Sequence, residues 1–463
     1  MRVCQTQVKN TKENGKTLKQ AVNRLTGYLS EIQYVFRSGK HNVSNRALEY
    51  IQSIWPSCLS NLQRLSETGV CKDYFQLQHF ISDSTWDAGE LMDYVGKQAS
   101  SKFTSNKLIG LHIDETGVRK KGKHSIGVDR QYCGNIGKVD NSQVAVYAAL
   151  SQGDFATLID GKLYLPKSWT SDKQRLDKAK VPLDRRNFKT KQELALEIIN
   201  HQILLGTKFD YIGGDALYGA DQALTDAIDS MAVPFLMDIR ENQHVYLEQP
   251  QIQIPKPKSV RGRKPKIPKP DIEALPVSEY LKNLKPEDFM LLKVRNTAKG
   301  KLKCLYHFKT VYIWDGESKH ASKRLLMIRK SLNKRKVQVA YSLGNVDLAQ
   351  YEPEAVAYMQ AQRFFIEHAF KEAKSVLGLN QFQTRKWIAW YHQVALNMLL
   401  LLFVFREKQI NFSLMPLLSA WDIAQIMQLL IISQMFDPDK VFEQIIYRHY
   451  LRQKDINRCI LNT

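Results

Sequence analysis

The chain has 463 residues, 44% of them hydrophobic and 10% aromatic, so it is too long for one ordinary domain and too apolar for wholesale disorder. Its 67 lysines and arginines against 46 acidic residues leave a formal charge of +21, a surplus that calls for a polyanionic partner, and nucleic acid fits it best. The 6 cysteines (Cys4, Cys58, Cys71, Cys133, Cys304 and Cys459) are scattered without a C-x-x-C pair, which excludes a zinc module or disulfide scaffold and indicates a reducing compartment. The polar start MRVCQTQVKNTKENGK lacks the apolar stretch of a signal peptide. The greasiest run, Met398 to Phe405, is far shorter than the roughly 20 residues of a membrane span. These features predict a soluble intracellular protein with no membrane partner.

Residues 1–105 read as a helical N-terminal domain. Leu18, Val22, Leu25, Leu29, Ile32 and Val35 recur at spacings of three and four, the period of one helix face. YFQLQHFIS and AGELMDYVGKQ flank DSTWD, where Ser82, Asp83 and Ser84 supply stop and cap chemistry and Asp87 can cap the second helix. This pair fits either a DNA-reading helix–turn–helix or an ordinary helical hairpin.

The texture changes near residue 108. LIGLHID is a short apolar run ending on Asp114, as expected of a buried central strand. HSIGVDRQYCG and SQVAVYAAL follow as strands around a glycine-containing turn, then a helix through QELALEIINHQILLG, the strand FDYIGG leading into Asp215, the helix DQALTDAIDSM and the strand VPFLMDI. Three strands, a helix, a strand, a helix and a strand make a mixed α/β sheet over residues 106–240.

Residues 241–345 read as a β-rich basic insert. Between Pro255 and Pro270 lies a Pro/Lys/Arg tract holding Lys256, Lys258, Arg261, Arg263, Lys264, Lys266 and Lys269 and no acidic residue. DFMLLKVRN, LKCLYHFKTVYIW, RLLMIRKS and VQVAYSL then read as strands, and residues 319–336 form a second basic run without acids. Two such runs flanking strands suit a DNA-contacting surface. Residues 346–408 return as helix, and 409–463 form a helical C-terminal region.

Three carboxylates stand out by position. Asp114 and Asp215 end or follow core strands, and Glu367 lies on the helix after the insert. Acidic side chains at neighbouring strand ends converge at one edge of a sheet, where a facing helix completes an all-oxygen site suited to Mg²⁺ or Mn²⁺. Two such ions, about 3.5–4 Å apart, activate an attacking oxygen and stabilise the leaving one in phosphoryl transfer. Arg363, Glu367 and Lys374 fall at i, i+4 and i+11 in QRFFIEHAFKEAK, within about 40° on one helix face. The alternative is a solvated stripe with one i,i+4 ion pair.

Taken together, these residues resemble the DDE transposases of bacterial insertion sequences. Asp114 in LHIDETGVRKKGKHSIGVDRQYCGNIGKVDNSQVAV, Asp215 in IGGDALYG and Glu367 in R-x3-E-x6-K resemble that family's three signatures, over most of residues 75–405. The nearest branch by these motifs is the insertion-sequence-four group with its Y-R-E-K signature: Arg363, Glu367 and Lys374 take the R, E and K places, and Gln360 stands at the Y place. The resemblance implies a ribonuclease-H-like catalytic core interrupted by a β-rich insert, and catalysis and metal binding by Asp114, Asp215 and Glu367 with two Mg²⁺ or Mn²⁺ ions. It further implies cut-and-paste transposition on double-stranded transposon ends and target DNA, a homodimer in the synaptic complex, and work at the bacterial nucleoid in the cytoplasm. DNA contacts are then expected from Arg363, Lys374, Lys256, Lys258, Arg261, Arg263 and Lys264. Trp314 is a candidate for holding a flipped base, or else a core aromatic.

Two rivals stand beside this reading. Gly117 to Lys123 matches the phosphate-loop pattern G-x-x-x-x-G-K after a strand, although His124 occupies the place of the Mg²⁺-binding hydroxyl. A transposase-derived protein that binds DNA without cutting it is the other. His112, His124 and His392 are expected to be structural rather than metal ligands.

Overall fold

The computed structural model describes residues 17–435 apart from 58–60, 104–105, 135, 256–265, 298–299, 333–336, 382 and 414, together with 446–447, 449–450, 452–454 and 457. The N-terminal helices are α1 (Ala21–Glu31), α2 (Ser44–Ser57), α3 (Leu62–Thr68), α4 (Tyr74–Ser82) and α5 (Ala88–Lys102). The residues expected on one face, from Leu18 to Val35, are all buried. Asp73 and Asp87 cap α4 and α5 by accepting backbone N–H groups of the first turn, so the helix–turn–helix starts and stops where its cap residues stand.

The core strands are β1 (Gly110–Arg119), β2 (Asp129–Cys133), β3 (Lys138–Gln152), β4 (Phe155–Leu163), β5 (Tyr211–Gly214) and β6 (Phe235–Ile239), with α6 (Lys191–Leu204) and α7 (Gln222–Ser230) between the later ones. Four strands therefore precede the first long helix, not three. The overlooked β4 carries Asp160 and Gly161; Asp160 is buried because His201 and Gln202 of α6 hydrogen-bond to it. Beyond them lie β7 (Met290–Thr297), β8 (Gly300–Ile313), β9 (Ser322–Ser331) and β10 (Val339–Gly344), then α8 (Pro353–Gln362), α9 (Phe364–Ser375), α10 (Trp387–Ile410) and α11 (Ala420–Met435).

All ten strands belong to one 10-stranded sheet, in the order β7-β8-β9-β10-β6-β5-β1-β3, with β2 and β4 sharing the far edge of β3. β1 runs antiparallel to β3 and parallel to β5, and β5 is parallel to β6. The expected insert strands are thus an extension of the core sheet: β10 pairs with β6 from Tyr341↔Ile239 to Gly344↔Leu236. Both faces of this extension are covered. Leu325 and Met327 of β9 enter one apolar cluster with α8, and Leu326 and Ile328 enter another on the opposite face, as the period of two dictates.

The largest apolar cluster runs from Ala21 to Ile431, so the N-terminal helices, the sheet and the C-terminal helices share one core. At its centre is α10. This helix is long and apolar enough to cross a membrane by length and composition, which the eight-residue run read in sequence did not suggest, yet it is buried within the protein. Glu407 near its end is 1% exposed and is held by Arg24 of α1 through two hydrogen bonds of 2.7 and 2.6 Å.

Candidate active site

Parallel pairing of β1 with β5 ends at Ile113↔Gly214, so the next residues on the two strands, Asp114 and Asp215, stand side by side. Asp114 does not end its strand. β1 continues to Arg119 because its other edge stays paired with β3 as far as Arg119↔Ser142. Asp215 does leave its strand, and it caps the single turn Ala216–Gly219 by accepting the Leu217 N–H at 2.9 Å. That turn presses against β6: a Cβ on Gly219 would lie 2.1 Å from the Asp238 carbonyl oxygen, so only glycine fits.

Electrostatics mark the aspartates. Burial, then the neighbouring Asp215 and Glu115, hold the Asp114 carboxyl well above its ordinary range, and burial raises Asp215 as well. Two carboxylates that repel each other in a low-dielectric pocket favour a cation between them. Glu115, adjacent on β1 and therefore on the opposite face, is already engaged: it accepts from the Tyr218 hydroxyl at 2.9 Å and from Lys191 Nζ at 2.9 Å.

Across the other face lies α9. Arg363 stands at the junction of α8 and α9, where the helix breaks for one residue, so QRFFIEHAFKEAK is not one continuous helix. The expected i,i+4 pair survives: Arg363 Nη1 is 3.0 Å from Glu367 Oε1, while its Nε is 2.7 Å from Asp238 Oδ2. Burial opposes the guanidinium charge, but Asp238, Glu367, Asp114 and Asp215 outweigh it and raise its pKa. Lys374 points inward too, donating to Thr116 Oγ1 at 2.5 Å and the Gly117 carbonyl at 3.2 Å, and burial pulls its ammonium down to about 8.

Among the described residues, no group of three or more His, Cys, Asp or Glu side chains forms a ready metal cage. The structure brings Asp114 and Asp215 together and sets Glu367, half exposed, against the Arg363 guanidinium. The buried aspartate pair is an all-oxygen, doubly negative donor set, which fits a hard divalent cation. Completing it with Glu367 requires the guanidinium to yield that carboxylate.

Gln360 at the Y place is buried; its amide donates to Asp238 Oδ1 at 3.2 Å and its carbonyl accepts from Arg329 Nη1 at 2.9 Å. Trp314 is not a core aromatic. It follows the end of β8 and is only partly covered, its indole N–H donating to the Ser318 carbonyl at 2.8 Å. Lys256, Lys258, Arg261, Arg263 and Lys264 lie outside the described residues. The phosphate-loop alternative fails, because Gly117–Arg119 belongs to β1 and a turn and strand, not a helix, follow Lys123. His112 and His392 are buried and bonded to Ser151 and to the Ile81 and Trp86 carbonyls, whereas His124 is exposed. Glu115 and Asp238 are the site residues that sequence reading passed over. For Asp238 the only signal was a carboxylate inside the apolar strand FLMDI.

Comparison with known proteins bears on the same residues. Residues 59–284 match the DDE superfamily endonuclease family, and residues 184–403 match the Transposase DDE domain family. A probable transposase for insertion sequence element IS701 from Microchaete diplosiphon is 30% identical over 208 residues, covering 43% of this chain and 51% of the relative. The matched stretch thus spans about half the length of that relative. Together these matches support a DDE transposase.

Proposed function

We propose that this chain is a DDE transposase that binds the terminal inverted repeats of its own element and cleaves and joins DNA strands at a divalent-metal site. The observation that carries the proposal is the register of Asp114 beside Asp215 with the Arg363–Glu367 helix over them. Asp114, Asp215 and Glu367 would hold the metal, two Mg²⁺ or Mn²⁺ ions when DNA is engaged, and the metal would supply activation of the attacking oxygen and stabilisation of the leaving one. The protein's own task is placement. Lys374 ties α9 to β1 at Thr116, two residues from Asp114 on the same face, and so fixes the helix that carries Glu367. Arg363 and Lys374 sit where a scissile phosphate would arrive, and a DNA strand could draw either from its internal partners.

The antiparallel β3–β1 pair followed by parallel β5 and β6 supports a ribonuclease-H-like core, and the R, E and K places support membership of the insertion-sequence-four-like group. The charge of +21 supports DNA as partner, with the basic tract around Lys256–Lys264 as one contact, Trp314 after β8 as another, and a homodimer joining two ends. The test is strand cleavage of duplexes bearing the element's terminal repeats with Mg²⁺ or Mn²⁺. Asp114→Asn, Asp215→Asn and Glu367→Gln should each abolish cleavage yet bind the duplex. Binding without cleavage by the unaltered protein would instead favour a non-cutting DNA-binding descendant.

A further inference from the structure

We propose that Asp238 is a positioning residue of this site: it holds the Arg363 guanidinium away from the Asp114–Asp215 pair and so keeps that pair open to a divalent cation. The inference rests on the reading that the pair binds metal, and it concerns a carboxylate outside the three metal-binding positions.

Arg363 has four anions within electrostatic reach, and a guanidinium competes with a metal ion for the same carboxylates. Its fork is shared between two of them, Nε to Asp238 at 2.7 Å and Nη1 to Glu367 at 3.0 Å. Asp238 is itself fixed from three sides. Oδ2 faces Arg363, while Oδ1 accepts from Ser342 Oγ of β10 at 2.8 Å and from Gln360 Nε2 of α8 at 3.2 Å. Arg329 of β9 holds the other end of the Gln360 amide at 2.9 Å. With both oxygens occupied, Asp238 is poorly suited to coordinate a metal and well suited to anchor a cation. Removing its charge would leave Glu367 and the buried aspartates as the remaining anions for Arg363, and the guanidinium would settle nearer the pair as an internal counterion. Gln360 gains a role on the same argument: at the place where the resembled family has tyrosine, its amide braces Asp238 from α8.

Mn²⁺ binding to the full-length protein, read from free Mn²⁺ by electron paramagnetic resonance, tests this without reference to catalysis. Asp238→Asn keeps the size of the side chain and removes its charge; it should weaken Mn²⁺ binding about tenfold, equivalent to about 1.4 kcal/mol. Asp238→Ser carries the same expectation should asparagine not be tolerated. In an Arg363→Gln background the same Asp238→Asn change should have little effect, since the competing cation is gone. The Mn²⁺ concentration for half-maximal cleavage should rise in parallel, with the rate at saturating metal falling much less. Unchanged Mn²⁺ affinity in Asp238→Asn, or an equal loss with and without Arg363, would overturn the proposal. Failure of the folded wild-type protein to bind Mn²⁺ would remove the metal reading itself and this inference with it.

Discussion

Lys374 offers a test in which stability and activity should move in opposite directions. Burial lowers its pKa from 10.5 to about 8, a cost of about 3.4 kcal/mol at neutral pH. The hydrogen bonds to Thr116 Oγ1 and the Gly117 carbonyl offset part of this, because a charged donor contributes about 1.5–3 kcal/mol. Lys374→Met should therefore be about 0.4–2 kcal/mol more stable than wild type to urea at pH 7. The unfolded chain keeps the lysine proton until about 10.5 while the folded protein sheds it near 8. Wild-type stability consequently gains from this group as pH rises across that window, and the advantage of methionine should shrink toward pH 10. Single-turnover cleavage by Lys374→Met should fall by orders of magnitude, because α9 loses its tie to β1, and Lys374→Arg should recover part of it. A methionine variant that is less stable than wild type at pH 7, by a margin independent of pH, would refute the reasoning.

His201 bridges Asp160 at 2.8 Å and Asp93 at 3.1 Å, and these carboxylates lift it to about 10. Its stabilisation should be complete below about 6.5 and lost as pH rises through 10, so the wild-type advantage over His201→Gln should vanish at high pH; because the imidazole is 37% exposed, solvent screening keeps the effect smaller than the shift implies. Glu407→Ala should destabilise by about 2–3 kcal/mol, less than a fully buried pair would, because Arg24 can regain water. Chemical denaturation with tryptophan fluorescence reads both. Neutralising Lys256, Lys258, Arg261, Arg263 and Lys264 should reduce the slope of log affinity against log salt by about 0.9 per lost phosphate contact; an unchanged slope would make the tract a linker.

The aspartates were legible because each sits beside an apolar run that can only be a buried strand, and Gly213 and Gly214 mark how closely β5 is packed. A Cβ on Gly213 would meet the His112 ring at 2.6 Å. Local pattern also located α9 and its charged stripe. It could not register the break at Arg363, since the helical φ and ψ of that residue keep the period across it. Nor could it show that Arg363 and Lys374 turn inward, because that depends on Asp238 and Thr116, more than a hundred residues away. β4 went unread because Asp160 and Gly161 interrupt its apolar letters, and their burial depends on His201 and on the close-packed Tyr147 ring. The pairing of β10 with β6 leaves no trace in either strand alone.

That pairing limits how the chain can be simplified. A chain trimmed of residues 241–345 would keep both aspartates, but the backbone of Phe235–Ile239 would lose one of its two hydrogen-bonded neighbours and present a raw, apolar border on which other molecules could stack. It would also lose Ser342 and Arg329, and with them the brace behind Asp238. Shortening this protein should therefore begin at its turns, and a replacement strand opposite β6 would have to come with any larger deletion.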